Sequence, residues 1–128
     1  MSPGDARKRK RLSRSGEFDR VYREGTSHAT RHLVLYGFPR SSEGDEEAEI
    51  RLGVSASRKV GGAVQRNRAK RALREAFWEE AERAPAGSDF VLVARAGIGE
   101  LIEAEGGDGV RRSVVEALAA LHGQGRST

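Results

Sequence analysis

The side chains best suited to holding another molecule are concentrated in one stretch, "RKVGGAVQRNRAKRALREAF", residues 58–77. It carries Arg58, Lys59, Arg66, Arg68, Lys70, Arg71 and Arg74 before its first acid, Glu75. Gly62 is an acceptable helix N-cap, and stepping on from it by about 100° per residue separates two faces. Ala69, Ala72, Leu73, Ala76 and Phe77 share one. Asn67, Lys70, Arg71 and Arg74 share the other, with Arg66 and Arg68 at its margins. A charged helical face is ordinarily just solvated, and then it mixes signs at i, i+4. Residues 58–74 contain no acid, and only Arg71 has an intrahelical partner in reach, Glu75. Unpaired like charges repel, so such a helix gains stability when an anion supplies the counter-charge. Arginine outnumbers lysine, and its planar fork suits bidentate phosphate binding and base stacking. The paired glycines let a backbone approach an anion at the helix N-terminus. They form no nucleotide P-loop, because G-x-x-x-x-G-K-[ST] is absent.

A second set of side chains is aromatic. Phe18, Val21 and Tyr22 fall on one face of a short helix, and Tyr36 and Phe38 on one face of a strand. Beside Arg51 and Arg58 these rings could form a stacking platform for single-stranded nucleic acid. They could equally be core, which is the better reading for Phe38; spacing leaves both open for the others. No catalytic constellation accompanies them. His28, His32 and His122 are scattered, the carboxylates fall in loops or on solvent-facing turns, and nothing suggests a Ser-His-Asp or Cys-His arrangement.

The elements that must position these residues follow from the rest of the chain. Its 128 residues suit one domain. Charged residues are 33% of the total, yet the net charge is only +4, because the signs are segregated. Arg7, Lys8, Arg9, Lys10, Arg11 and Arg14 form one block, and Glu43, Asp45, Glu46, Glu47 and Glu49 another. The basic blocks read as nucleic-acid surfaces and the acidic one as an exposed loop over 41–49. There is no cysteine, which excludes disulfides and Cys-based zinc sites. No apolar run approaches the ~18 residues of a membrane helix, and no signal-like segment follows the basic start, so a cytoplasmic protein is expected.

Residues 1–13 read as a basic, mobile tail, 14–123 as the folded domain and 124–128 as a second tail. Ser15 is placed as an N-cap and Gly25 as the stop of the first helix. "RHLVLYGF" (31–38) and "IRLGVSAS" (50–57) alternate as strands, and the acidic loop between them suggests a hairpin. "DFVLVAR" (89–95) is apolar at nearly every position, as a strand covered on both faces should be. The basic helix must stop before Pro85. A last helix is expected from Asp108 to Gly123 with Val110, Val114, Leu118 and Leu121 as its stripe. The order, helix, two strands, helix, strand, helix, predicts an α+β sandwich.

With these elements in place, "SRKVGGAVQRNRAKRALREAF" resembles the RNR signature of the bacterial ribonuclease P protein-subunit family. "KRKRLSRSGEFDRVYREGTS" is similar to that family's basic start, first helix and glycine stop. "HLVLYGF", "IRLGVSAS" and "DFVLVARAG" resemble its strands, so the likeness covers roughly residues 8–122. It implies a two-layer α/β sandwich with a four-stranded sheet and a left-handed βαβ crossover, against the usual right-handed rule. It also implies an accessory role in a ribonucleoprotein endoribonuclease that hydrolyses the 5′ leader from precursor tRNA and leaves a 5′-phosphomonoester. The active site and its magnesium ions would sit mainly on the catalytic RNA, with no metal and no catalytic residue on the protein.

Position by position, the resemblance assigns Arg66, Asn67, Arg68, Lys70, Arg71 and Arg74 to the catalytic RNA. Phe18, Tyr22, Tyr36, Arg58 and Arg95 would line a cleft for the leader, and Arg9, Arg11 and Lys59 would add auxiliary charge. The implied partners are the catalytic RNA and precursor tRNA, with no membrane and no small-molecule substrate. Some positions depart from the pattern. Tyr22 stands where phenylalanine is frequent, which keeps a stacking ring. Ser57 and Gly62 stand where some members are polar or basic, which lowers the charge of the cleft. The acidic loop looks longer than usual and should point away from RNA. The residues alone also allow a ribosomal or RNA-chaperone protein using the same helix; a protein-only nuclease is the third, least supported reading.

Overall fold

The computed structural model describes residues 9–12, 15–39 and 49–126. The acidic loop, apart from Glu49, most of the N-terminal tail and the last two residues lie outside them. Strand β1 (Arg9–Arg11) leads to helix α1 (Ser15–Glu24), strand β2 (Thr26–Ala29) and strand β3 (Leu33–Pro39). Strand β4 (Ile50–Ala56) is followed by a 3-10 turn (Arg58–Val60) and helix α2 (Ala63–Glu79). A second 3-10 turn (Ala81–Arg83), strand β5 (Ser88–Ala94) and helix α3 (Ile98–Arg126) complete the chain.

Helix boundaries follow local chemistry. Gly62 is the extended N-cap of α2, as its spacing predicts. The helix and its 3-10 extension end at Ala84, whose φ of −91° and ψ of 139° are the extended geometry that a following proline demands. Gly25 ends α1 by donating its N–H to the Val21 carbonyl at 3.0 Å. The last helix differs from expectation. A helical segment that was not expected runs from Ile98 to a break at Gly106 (φ 66°, ψ −154°); the helix expected from Asp108 begins just after that break and continues to Arg126 rather than stopping at Gly123. Asp108 lies in the first turn after the break and pairs with Arg111 at 3.1 Å, and Glu105 pairs with Arg112 across the break. The expected stripe is buried: Val110 and Val114 are fully covered, and Leu118 and Leu121 nearly so.

The sheet has five strands in the order β1-β4-β5-β3-β2, where four were expected. The extra pairing comes from two short strands. β1 runs parallel to β4 within the segment read as a mobile tail, and β2 runs antiparallel to β3. Neither carries an apolar alternation; backbone ladder bonds hold them. The hairpin expected between β3 and β4 does not form. β5 lies between them, antiparallel to β3 and parallel to β4, with Leu92 facing Leu35 on one side and Val54 on the other. The physical reason is composition: β5 is the strand with least to lose from burial on both faces and both edges. The parallel neighbours β4 and β5 are therefore joined by a crossover through α2.

Helices cover both faces, so the arrangement is not the expected two layers. Leu33, Leu35, Leu52, Phe90, Leu92 and Ala94 pack with the apolar stripes of α2 and α3. On the opposite face Val91 packs with Val21 of α1 and with Leu12, flanked by Phe18, Tyr36, Phe38 and Val93. At the edge of this second core Asp89 is fully buried. Arg51 donates Nε to its Oδ1 at 2.9 Å and Nη2 to its Oδ2 at 3.3 Å, and Arg20 lies 3.5 Å from Oδ2. Arg51 also bonds Glu17 of α1 at 3.2 Å, so one guanidinium joins β4, β5 and α1.

Two substitutions test this framework. A Cβ on Gly25 would lie 2.4 Å from the Gly37 carbonyl oxygen and 2.7 Å from that of Val21, both backbone atoms that cannot swing away. Gly25→Ala should therefore lower unfolding free energy in urea by about 1–3 kcal/mol, as overpacking does. Unchanged stability would show that α1 is free to draw back from β3. Arg51→Ala should cost about 3 kcal/mol, at the low end for a broken buried pair because Arg20 still faces Asp89. Chemical denaturation measures it, and a change below about 0.5 kcal/mol, the level of an ordinary surface substitution, would remove Arg51 from its structural role.

Candidate nucleic-acid interface

The two faces read from the spacing of α2 are the two faces found. Ala69, Leu73, Ala76 and Phe77 are buried against the sheet and α3. Asn67, Arg68 and Arg71 are exposed, while Arg66, Lys70 and Arg74 are half-buried. Among the described residues none of these cations pairs with a carboxylate. The Arg71–Glu75 pair that helical spacing allows is not formed. Elsewhere the arginines do find acids: Arg20, Arg51, Arg83, Arg111 and Arg112 all make ion pairs. Among the described residues the cationic face of α2 is thus left without internal counter-charge, as are Lys10, Arg11, Arg58 and Lys59.

The aromatic residues resolve into surface and core. Tyr22 and Tyr36 meet edge to face with centroids 4.9 Å apart, and Phe18 meets Tyr22 at 6.3 Å. Tyr22 is 39% exposed and stands between the other two rings. Burial first, then the neighbouring Tyr36 and the Asp19 carboxylate, push its phenol pKa above the ordinary value, so the ring stays uncharged at neutral pH. Phe38 packs in the second core with the Arg20 guanidinium 5.2 Å from its ring centre. Phe18 depends on Gly53: a Cβ there would fall 2.3 Å from its Cζ, so only glycine on β4 lets this ring lie on the strand.

Phe18 lines a groove of about 240 Å³ with Arg11, Leu12, Leu52, Gly53, Val54 and Arg74. The groove has an apolar floor from β4, an aromatic side from α1 and a guanidinium on each flank. Arg11 reaches it because β1 aligns Arg11 with Leu52. Arg74, placed with the outer cationic face by helical spacing, also borders the ring of Phe18. The structure therefore brings Phe18, Tyr22 and Tyr36 together and places Arg11 and Arg74 in the groove beside Phe18.

Other expected residues stand apart. Arg58 and Lys59 are exposed on the 3-10 turn before α2, where the Lys59 N–H bonds the Ser57 Oγ at 3.3 Å, and neither lines this groove. Arg95 is exposed, but its Nη1 donates to the Thr30 carbonyl at 3.0 Å and its N–H to the His32 carbonyl, so part of its work is closing the β2–β3 turn. Arg9 lies on β1, with its side chain outside the described residues. Arg51, expected beside Arg58 on a stacking platform, is turned inward to Asp89 and Glu17. Trp78 and Lys10 are the neighbours that spacing missed: both border Arg11 and Arg74 in an adjoining groove. For Trp78 the available signal was its position one helical turn beyond Arg74. Among the described residues no group of three or more His, Asp or Glu is placed to hold a metal ion.

Comparison with known proteins agrees with this geometry. The family model described as Ribonuclease P matches residues 6–118. The ribonuclease P protein component of Geobacillus thermodenitrificans is 36% identical over 125 residues, covering 95% of this chain and 97% of that one. The structure of the Staphylococcus aureus RNase P protein superposes with a TM-score of 0.71 at 31% identity, covering 86% of this chain and 93% of that one. The RNase P protein from Thermotoga maritima gives a TM-score of 0.70 at 28% identity over 84% and 93% of the two chains. An α+β fold with a mixed five-stranded sheet, an acid-free helical face and a match across most of the chain lead to one family: this chain is a member of the ribonuclease P protein components.

Proposed function

We propose that this chain works as the RNA-binding protein of a ribonucleoprotein endonuclease, holding the catalytic RNA and the 5′ leader of precursor tRNA while the leader is removed. The observation that carries this reading is the cationic face of α2, unpaired among the described residues and continuous through Arg74 with an aromatic groove. Arg66, Asn67, Arg68, Lys70 and Arg71 are assigned to the phosphates of the catalytic RNA. Phe18, Tyr22 and Tyr36 are assigned to the single-stranded leader, whose bases can stack on rings in any sequence. Arg74 borders both. Arg58, Arg95, Lys59, Arg9 and Arg11 are supporting cations around these surfaces.

The protein's contribution is electrostatic and positional. Two polyanions must approach each other at the cleavage site, and a guanidinium-rich face between them offsets phosphate repulsion that magnesium would otherwise have to screen. The metal-dependent hydrolysis is assigned to the RNA, with magnesium bound mainly there. Residues 14–123 would be the RNA-binding domain and 1–13 and 124–128 its tails, in a cytoplasmic ribonucleoprotein. The crossover from β4 through α2 to β5 would be left-handed, as the family resemblance implies.

Reconstitution tests the reading directly. Precursor tRNA cleavage by the catalytic RNA at low magnesium should be faster with this chain than without it. An unchanged rate would overturn the proposal, and retained RNA binding in that case would favour a ribosomal or chaperone role. The leader assignment has its own test. Tyr36→Ala should weaken precursor tRNA binding to the holoenzyme about fivefold to a hundredfold, the range expected for losing a stacked base, while mature tRNA is affected less. Equal weakening of the two would take Tyr36 out of the leader cleft.

A further inference from the structure

Away from the aromatic groove, two hydroxyls meet inside the protein. Thr30, in the turn from β2 to β3, and Ser113, in the second half of α3, are both buried, and their oxygens lie 2.7 Å apart. A buried hydroxyl destabilises the fold unless its hydrogen bonds are made, and Thr30 makes several. Its Oγ1 accepts the N–H groups of His32 and Leu33 at 3.2 Å each, and its own N–H reaches the Leu33 carbonyl at 2.8 Å. The turn is thereby locked, and its Thr30 carbonyl takes the Arg95 Nη1 at 3.0 Å. The Arg95 backbone is fixed on both sides. Its N–H donates to the His32 carbonyl at 2.9 Å, and its carbonyl accepts the Ile98 N–H at 3.1 Å.

This chain of bonds ends in an exposed side chain. A guanidinium has five N–H donors, and Arg95 uses one of them inside the protein. The other four have no acceptor among the described residues. A free arginine loses rotamer entropy when a ligand orders it, and a fork already held at one nitrogen loses less. Such a fork suits the oxygens of a phosphate. It stands at the end of β5, four residues beyond Val91, the partner of Tyr36, so about 13 Å further along at the rise of a strand. An RNA strand stacked on Tyr36 has its neighbouring phosphates in that direction or the opposite one. A purely structural hydroxyl pair would tie α3 to the turn and end there, whereas this one continues to a cation with unused donors. We infer that Thr30, held by Ser113, is a positioning residue for Arg95, setting its guanidinium to receive a phosphate of the precursor tRNA leader. This inference rests on the RNA-binding reading above, with Arg95 among its cations.

The holoenzyme, assembled from this chain and the catalytic RNA, is titrated with precursor and mature tRNA, and the fold of each variant is checked by urea denaturation. Arg95→Ala should weaken precursor tRNA about tenfold to a hundredfold, the loss expected for a hydrogen bond to a charged group. Thr30→Val and Ser113→Ala should each weaken it about twofold to tenfold, with mature tRNA less affected. Thr30→Ser, which keeps the hydroxyl, should retain most of the affinity. In the Arg95→Ala background neither Thr30→Val nor Ser113→Ala should have a further effect, because both act through that guanidinium. Ser113→Ala leaves the bonds within the turn in place, so it carries the test if Thr30→Val does not fold. Full precursor affinity in the folded variants, or equal weakening with and without Arg95, would show the hydroxyl pair to be structural only and leave the RNA-binding reading standing. No effect of Arg95→Ala would remove Arg95 from the leader surface and overturn the inference with it. If the wild-type chain leaves precursor binding by the catalytic RNA unchanged, the reading itself falls.

Discussion

Strand β5 is hydrogen-bonded along both edges and buried on both faces, and the position of nearly every other element follows from it. Phe90, Leu92 and Ala94 point to the side where α2 and α3 pack, and Val91 to the side where α1 packs. A strand of this composition is most stable at the centre of a sheet, where no apolar side chain is left in water. Once it is there, β3 and β4 are forced apart onto its two edges, and the basic helix becomes the crossover between parallel neighbours. The cationic face of α2 then points away from the sheet because its apolar stripe is the face that β4 and β5 hold.

The same strand also determines how charge is distributed. Asp89 enters the protein at the start of β5 and is fully buried, so it must be compensated. Arg51 and Arg20 do this, and through Arg51 the Glu17 carboxylate of α1 is drawn in as well. Two arginines that spacing could have assigned to a ligand surface are thereby spent on the fold. Those of α2 have no such obligation. Arginines of similar sequence appearance thus differ in function because of what the sheet buries beside them.

The groove shows a related division between ring and backbone. Phe18 reaches β4 because Gly53 has no side chain, and Tyr22 stays at the surface because Tyr36 supports it edge to face. Arg11 joins them from a strand of three residues that has no apolar pattern at all. What results is a continuous path with aromatic surface at intervals and cations on its flanks. A flexible polyanion with stackable bases matches that pattern, and a rigid duplex whose bases are already stacked does not.

Much of this was legible in the sequence. Helical period alone separated the buried Ala69, Leu73, Ala76 and Phe77 from the cationic face of α2, because burial and period 3.6 act within one element. Alternation located β3 and β4, continuous apolarity located β5, and Gly25 and Pro85 marked where helices stop. Resemblance to the family connected these elements with a ligand. Tertiary structure decided the rest. The hairpin expected between β3 and β4 fails because adjacency in sequence is weaker than the demand of β5 for burial. β1 and β2 are held by ladder bonds that leave no mark on side-chain pattern. Arg51 turns inward because of an aspartate 38 residues away. Trp78 meets Lys10 and Arg11 only because β1 aligns with β4, a pairing between backbones that no spacing along the chain encodes.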